Sequence, residues 1–189
     1  MDPRRERTSA AIRQAFVSLL CERDYAGITV QDILERAQVG RGTFYAHFRN
    51  KEELLAAQVR LVCEHSLEGE GDADARDAGN PVGQVQHVLE RLLEDRNGLR
   101  ALVRGDSAER FADCLRHEIV RRARAAVPEH PGGAAGRMER EFLVHHIGAS
   151  FVGMVRWWAW TGFATPADRL ARNYLRTLLP LFGKDLPRG

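Results

Sequence analysis

Apolar residues recur along this chain with the spacing of amphipathic helices. In residues 3–23 they fall at i, i+3, i+4, i+7 and i+8, at Ile12, Ala15, Phe16, Leu19 and Leu20. Similar stripes return up to residue 182, and no run of strand-like alternation has a convincing length. The pattern predicts an all-α fold of about nine helices.

The first third of the chain is predicted to hold short helices separated by tight turns. Thr29 caps a second helix with Asp32 three residues later, a variant of the capping box. Gly27 is expected to end the first helix in a left-handed turn. A turn at residues 39–40 then leads to a third helix over 41–47.

Longer helices are predicted for the rest of the chain. Asn50 caps a fourth helix, residues 69–80 form a polar loop, and a long helix covers 137–162. The last helix ends near residues 182–183. We therefore expect two domains, a helix-turn-helix domain over 1–50 and a larger helical domain over 51–189.

Composition and charge narrow the class of protein. The 189 residues are 44% hydrophobic, which is enough for a packed core, and the net charge is +2. Residues 1–60 hold 10 basic and 8 acidic residues, so the whole excess lies there. Arg4, Arg5 and Arg7 form a basic arm, for which a solvated helix start remains an alternative.

Cysteine usage and the absence of apolar runs predict a cytoplasmic protein. The three cysteines are odd in number and widely spaced, which favours free thiols, and no apolar run approaches the roughly 20 residues of a membrane span. Pairs such as Cys114 and His117 are too few for a metal site. Neither a metal nor another cofactor is predicted.

The predicted third helix carries side chains suited to DNA. Arg41 can bind guanine or a phosphate, and Thr43 can contact a base edge or a thymine methyl group. Tyr45 and His47 can donate to phosphate oxygens. This is the layout of a helix-turn-helix, whose second helix enters the major groove. Ordinary surface positions remain the alternative for each residue taken alone.

Residues 25–37, 42–48 (Gly-Thr-Phe-Tyr-Ala-His-Phe) and 51–54 closely resemble the N-terminal domain of the TetR family of bacterial transcription regulators. The resemblance implies an all-helical homodimeric repressor that is controlled by a small molecule. Gln38 and Gly40 depart from the family pattern. With the basic arm included, the predicted DNA-binding residues are Arg4, Arg5, Thr29, Arg41, Gly42, Thr43, Tyr45, His47 and Lys51.

The last two long helices are apolar on more than one face, which predicts a second chain as partner. The family resemblance implies the same pairing, and packing within one chain is the alternative. The predicted interface residues are Ala149, Gly153, Trp157, Trp160, Leu170, Tyr174, Leu178 and Phe182.

A mostly apolar ligand pocket is predicted in the larger domain, and plain core packing is the alternative for each residue. The predicted ligand contacts are His87, Val88, Leu92, Phe111, Cys114, Leu115, His146, Phe151, Met154 and Trp158.

Together these features predict a dimeric DNA-binding regulator, in the first place a repressor that a small apolar ligand releases from a palindromic operator. The alternative is a helical ligand- or partner-binding protein that does not read DNA. An enzyme is not predicted, because the sequence shows no nucleophile motif, phosphate loop or recognisable carboxylate pair.

Overall fold

The computed structural model describes residues 3–64, 81–94, 96–104 and 107–184. These residues form helices and short connections without a strand, so the all-α prediction is confirmed. The polar loop predicted over 69–80 lies outside the described residues. No helix in the described ranges has both the length and the apolar character needed to cross a membrane.

The described α-helices follow one another along the chain. Two 3₁₀ turns lie between α-helices, and a third follows the last one. The 3₁₀ turns are Tyr25–Gly27, Gly133–Arg137 and Leu179–Phe182. The α-helices are α1 Pro3–Glu22, α2 Val30–Ala37, α3 Arg41–Tyr45, α4 Lys51–Glu64, α5 Pro81–Glu94, α6 Arg96–Arg104, α7 Ala108–Ala126, α8 Arg140–Trp160 and α9 Ala167–Leu178.

Two compact units share the chain. The first consists of the described residues of 1–60 and 95–114, and the second of those of 61–94 and 115–189. The first unit therefore contains more than the segment predicted as a helix-turn-helix domain. Helix α6 joins it because α6 packs against α1.

The core of the first unit forms around α1. The predicted stripe of α1 is buried, with Ile12 and Phe16 fully inaccessible, and α2 packs against it. Ile33 of α2 and Phe44 of α3 are also fully buried. One aromatic anchor therefore fixes the short α3, which has too few residues to be stable alone.

Two turns of the first unit differ from prediction. Gly27 ends a 3₁₀ turn, and the Gly27 N–H donates to the carbonyl of Asp24. Gly27 is not left-handed, because the chain continues into the extended residue Ile28. The left-handed residue is Gln38, with φ of 54° at the end of α2. Gly40 is extended and precedes α3, which ends at Tyr45 and not at residue 47.

In the second unit α5 packs against α9, and α7 approaches α8 closely. Val120, Ala123, Val127 and Val144 form a small apolar cluster between α7 and α8. A Cβ atom at Gly148 would lie 2.6 Å from Cγ2 of Val120, so the crossing requires glycine there.

Polar groups close the ends of these helices. The guanidinium of Arg140 donates to the carbonyl of Val127 at 3.1 Å and also to that of Arg124, which satisfies the C-terminal end of α7. Gly162 and Gly183 are left-handed, with φ of 73° and 66°, at the two predicted helix ends.

Candidate nucleic-acid interface

The start of α2 is held by reciprocal hydrogen bonds. The Asp32 N–H donates to Oγ1 of Thr29 at 3.2 Å, and the Thr29 N–H donates to Oδ2 of Asp32 at 2.7 Å. This is the predicted capping box, which is confirmed. Hydrogen bonds from the hydroxyl and then the N–H of Thr29 hold the pKa of Asp32 below its usual value. Thr29 is exposed and rigidly placed.

Helix α3 presents a polar outer surface above a buried aromatic residue. Phe44 is fully buried, and its ring meets the ring of Tyr45 edge-on at 5.4 Å. Tyr45 is 51% exposed although it is large and aromatic. We call the exposed residues of this helix the reading face, and they are Arg41, Gly42, Thr43 and Tyr45.

His47 and Arg5 lie beside the C-terminal end of α3. Arg5 donates from Nη2 to the carbonyl of Ala46 at 3.3 Å, which places the basic arm next to the helix. Burial, and then the charges of Arg5 and Arg13, lower the pKa of the partly buried His47. Arg4 is exposed. The structure therefore brings the predicted arm and the reading face together.

The ammonium group of Lys51, another predicted DNA contact, forms hydrogen bonds within the protein. Its Nζ donates to the carbonyls of Tyr25 and Ile28 at 2.8 and 2.9 Å, and lies 4.2 Å from the centroid of the Tyr25 ring. An ammonium group has three donors. Two of them are used inside the protein, so at most one remains for a phosphate.

Comparisons with known proteins show which family this chain matches. The sequence profile described as "Bacterial regulatory proteins, tetR family" matches residues 12–57. A transcriptional repressor of Mycobacterium tuberculosis is 31% identical over 126 residues, which cover 57% of this chain and 67% of the repressor. The chain belongs to the TetR family. The TetR-family resemblance predicted from motifs in residues 25–54 is therefore confirmed.

Other similar proteins extend the similarity over nearly the whole chain. An uncharacterized HTH-type transcriptional regulator of Bacillus subtilis, YxbF, is 26% identical over 179 residues, 94% of this chain. The chain spans only 46% of that relative's length. A TetR regulator structure from Streptococcus agalactiae matches with a TM-score of 0.61 and 28% identity, covering 94% of this chain and 96% of that one.

Helix α8 of this TetR-family chain carries an exposed apolar seam. Ala149 and Gly153 are exposed, Trp157 is 52% exposed and Trp160 is 81% exposed. Phe142, which was not predicted from the sequence, is 59% exposed on the same seam. Its spacing to the later members could have revealed it. We call the exposed residues of this seam the α8 face, and they are Phe142, His146, Ala149, Gly153, Trp157 and Trp160.

The α9 residues predicted for the dimer interface lie inside one chain. Leu170, Tyr174 and Leu178 are at most 8% exposed. Helix α9 packs against α5, and the ring of Tyr174 meets that of Phe151 in α8. Tyr174 donates from its hydroxyl to the carbonyl of Ile147 at 2.9 Å, and burial raises its pKa to about 12. The prediction that these three residues form the interface is therefore corrected. Phe182 is partly buried against the Val120 cluster.

The residues predicted for the ligand pocket divide between the units. Phe111 and Cys114 belong to the first unit, and the others belong to the second. His146 is exposed and stacks on Phe142 with ring centroids 6.0 Å apart, so the prediction of an enclosed contact is corrected. Met154 is partly buried, and six apolar members are buried, namely Val88, Leu92, Phe111, Leu115, Phe151 and Trp158.

Two polar groups among the predicted pocket residues are in contrasting states. The indole N–H of Trp158 donates to the carbonyl of Thr165 at 2.7 Å, so this group is satisfied. Nε2 of His87 is buried and has no hydrogen-bond partner within the described ranges. A surface cleft of about 370 Å³ lies elsewhere, in the first unit, and none of the predicted ligand contacts line it.

Proposed function

We propose that this protein is a transcription regulator that binds DNA through α3. The reading face carries the proposal, because it exposes Arg41, Thr43 and Tyr45 above a buried anchor. A half-exposed tyrosine beside an arginine is a suitable surface for phosphates and base edges. Gly42 adds support, since a Cβ atom there would meet nothing within 4 Å. The fold does not need this glycine, whereas an approaching DNA backbone would.

Two copies of the chain act together in this proposal. The α8 face is a large apolar surface on one side of a helix, and such surfaces mark interaction sites. A twofold axis through it would pair identical faces in an isologous interface. Two copies of α3 about 34 Å apart would then fit successive major grooves, which predicts a palindromic operator.

We propose that binding of a small ligand releases the protein from its operator. Support comes from His87, whose buried Nε2 has no hydrogen-bond partner among the residues that the structure describes, since such a group costs about 1–3 kcal/mol. A mostly apolar ligand with one hydrogen-bonding group would remove that cost. If it bound the DNA-free conformation better, linkage would weaken operator binding. Repression is the favoured direction, because the mycobacterial relative is named a repressor.

A footprint on the DNA upstream of the protein's own gene tests this function. We expect protection of a palindrome whose half-sites lie one helical turn apart, and lower reporter expression when the protein is present. Higher expression would make the protein an activator. No protection on this DNA and no affinity for any duplex would favour a helical binding protein that does not read DNA.

A further inference from the structure

Lysine is a rare residue in this chain, and Lys51 occupies a special place. Of the 28 lysine and arginine residues, only Lys51 and Lys184 are lysines. Arginine serves at nearly every other basic position, including each basic residue of the reading face and the arm. Lys51 therefore differs from almost every other basic residue of the chain in carrying a compact ammonium group on a flexible stem.

The surroundings of Lys51 suit a compact ammonium group. Its ammonium group approaches two carbonyl oxygens at 2.8 and 2.9 Å and one aromatic ring at 4.2 Å. Hydrogen bonds from a charged donor are stronger than neutral ones, and an ammonium over an aromatic face is attracted by the ring. An arginine at this position would instead carry its donors on a larger, planar group.

These contacts fix the connection between α1 and α2. The carbonyls belong to Tyr25, which begins the 3₁₀ turn, and to Ile28, which follows it and is 1% exposed. Thr29, the cap of α2, is the next residue. Lys51 is the first residue of α4, where the helix dipole disfavours a cation. Its side chain instead reaches back to carbonyl oxygens, which favour it.

The same turn is held from a second side. The Tyr25 hydroxyl donates to Oε1 of Glu52 at 3.2 Å, and the Arg110 guanidinium lies 3.9 Å from that carboxylate and 5.9 Å from the Tyr25 ring. Tyr25 is 3% exposed. Residues from α4 and from the start of α7 therefore enclose the turn that leads into α2.

We propose that Lys51 is a positioning residue for DNA recognition and not a phosphate contact. By holding the carbonyls of Tyr25 and Ile28, it sets where α2 begins relative to α4. Because α3 follows α2 after three residues, the reading face is placed correctly only when this connection is fixed. The inference rests on the proposed function, and it changes the role first predicted for Lys51.

Two substitutions separate a positioning role from a phosphate contact. Lys51→Met removes the charge, and Lys51→Arg keeps it but changes its shape. We expect both variants to bind an operator duplex several-fold more weakly at every salt concentration, with the wild-type slope of log affinity against log salt. A phosphate contact would instead lower the slope by about one in the Met variant, and the Arg variant would bind normally. That result would overturn the proposal.

Hydrogen exchange of the DNA-free protein provides a second readout. The Ile28 amide, which donates to the Tyr25 carbonyl at 3.1 Å, should exchange faster in both variants while circular dichroism shows intact helices. Unchanged exchange, or unchanged DNA affinity, would overturn the proposal. If the wild-type protein bound no duplex, the proposed function would fail, and exchange would still decide whether Lys51 holds this turn.

Discussion

At the residue scale, neighbouring side chains of α3 have opposite environments. Phe44 is fully buried and Tyr45 is half exposed, because adjacent helical positions differ by about 100°. The outward position of Tyr45 was predicted from the sequence. The bonds of the Lys51 ammonium to two carbonyls were not predictable, because that contact depends on how α4 approaches the turn after α1.

His47 should make DNA binding depend on pH. The pKa of His47 in the free protein is lowered from its ordinary value of 6.5. The contribution of neutral His47 to the free energy of unfolding is therefore fully present above pH 6.5 and is lost as the pH falls through the lowered pKa. A nearby phosphate would raise that pKa, and binding would then take up a proton. Operator affinity should therefore rise as the pH falls from about 7.5 through 6.5 and then through the lowered pKa of His47 in the free protein.

Fluorescence anisotropy at constant ionic strength, from pH 8 to pH 5.5, measures this dependence. The control is His47→Gln, which keeps a hydrogen-bond donor but cannot titrate. The variant should give a flatter profile than the wild type. Identical profiles for the two proteins would mean that His47 does not face a phosphate.

At the element scale, α8 has one glycine that the fold requires and one that it does not. Gly148 is buried where α8 crosses α7, and an added Cβ atom would lie 2.6 Å from Val120. Gly153 is exposed, and a Cβ atom there would meet nothing within 4 Å. The sequence shows two similar glycines, and only the tertiary packing distinguishes them.

Alanine substitutions at these glycines should have opposite effects. Gly148→Ala should lower the free energy of unfolding by about 1–3 kcal/mol through overpacking. Gly153→Ala should leave it unchanged or raise it by up to about 1 kcal/mol, the helix-propensity gain. If α8 pairs closely with a second copy, Gly153→Ala should also weaken the dimer. Urea unfolding and sedimentation equilibrium measure the two effects, and equal destabilisation would contradict this assignment.

The environment of α9 could be predicted only in part from sequence periodicity. Its wide apolar stripe was read correctly as buried on several sides, but the stripe does not specify the neighbour. In the structure Leu170, Tyr174 and Leu178, which were predicted to face a partner, are buried within one chain, where α9 contacts α5 and α8. The capping box at Thr29 was predictable, because its two partners are three residues apart.

At the scale of the whole molecule, the proposed function depends on two copies presenting α3 together. The α8 face is the surface proposed for this pairing, and it carries two exposed tryptophans. Aromatic residues at the centre of an interface commonly contribute about 2 kcal/mol or more each. The operator affinity of a dimer is therefore expected to depend on residues of the other unit.

Trp157→Glu combined with Trp160→Glu should convert the protein to a monomer. Two carboxylates from each chain would be desolvated against their copies, which is strongly unfavourable. Sedimentation velocity should show the monomer mass, and operator affinity should fall at least tenfold with helicity retained. The control, Ala134→Glu, adds a charge at an exposed position outside the α8 face. A dimer that persists in the double variant would refute this interface.

Salt-dependent binding to an operator duplex tests the role of the reading face most directly. Wild-type protein should bind with log affinity falling linearly with log salt, and Arg41→Ala combined with Tyr45→Ala should abolish specific binding and reduce the slope. Arg137→Ala, which removes one exposed charge elsewhere, should bind as the wild type does. Unchanged affinity and slope in the double variant would contradict the assignment of α3 as the DNA-reading helix.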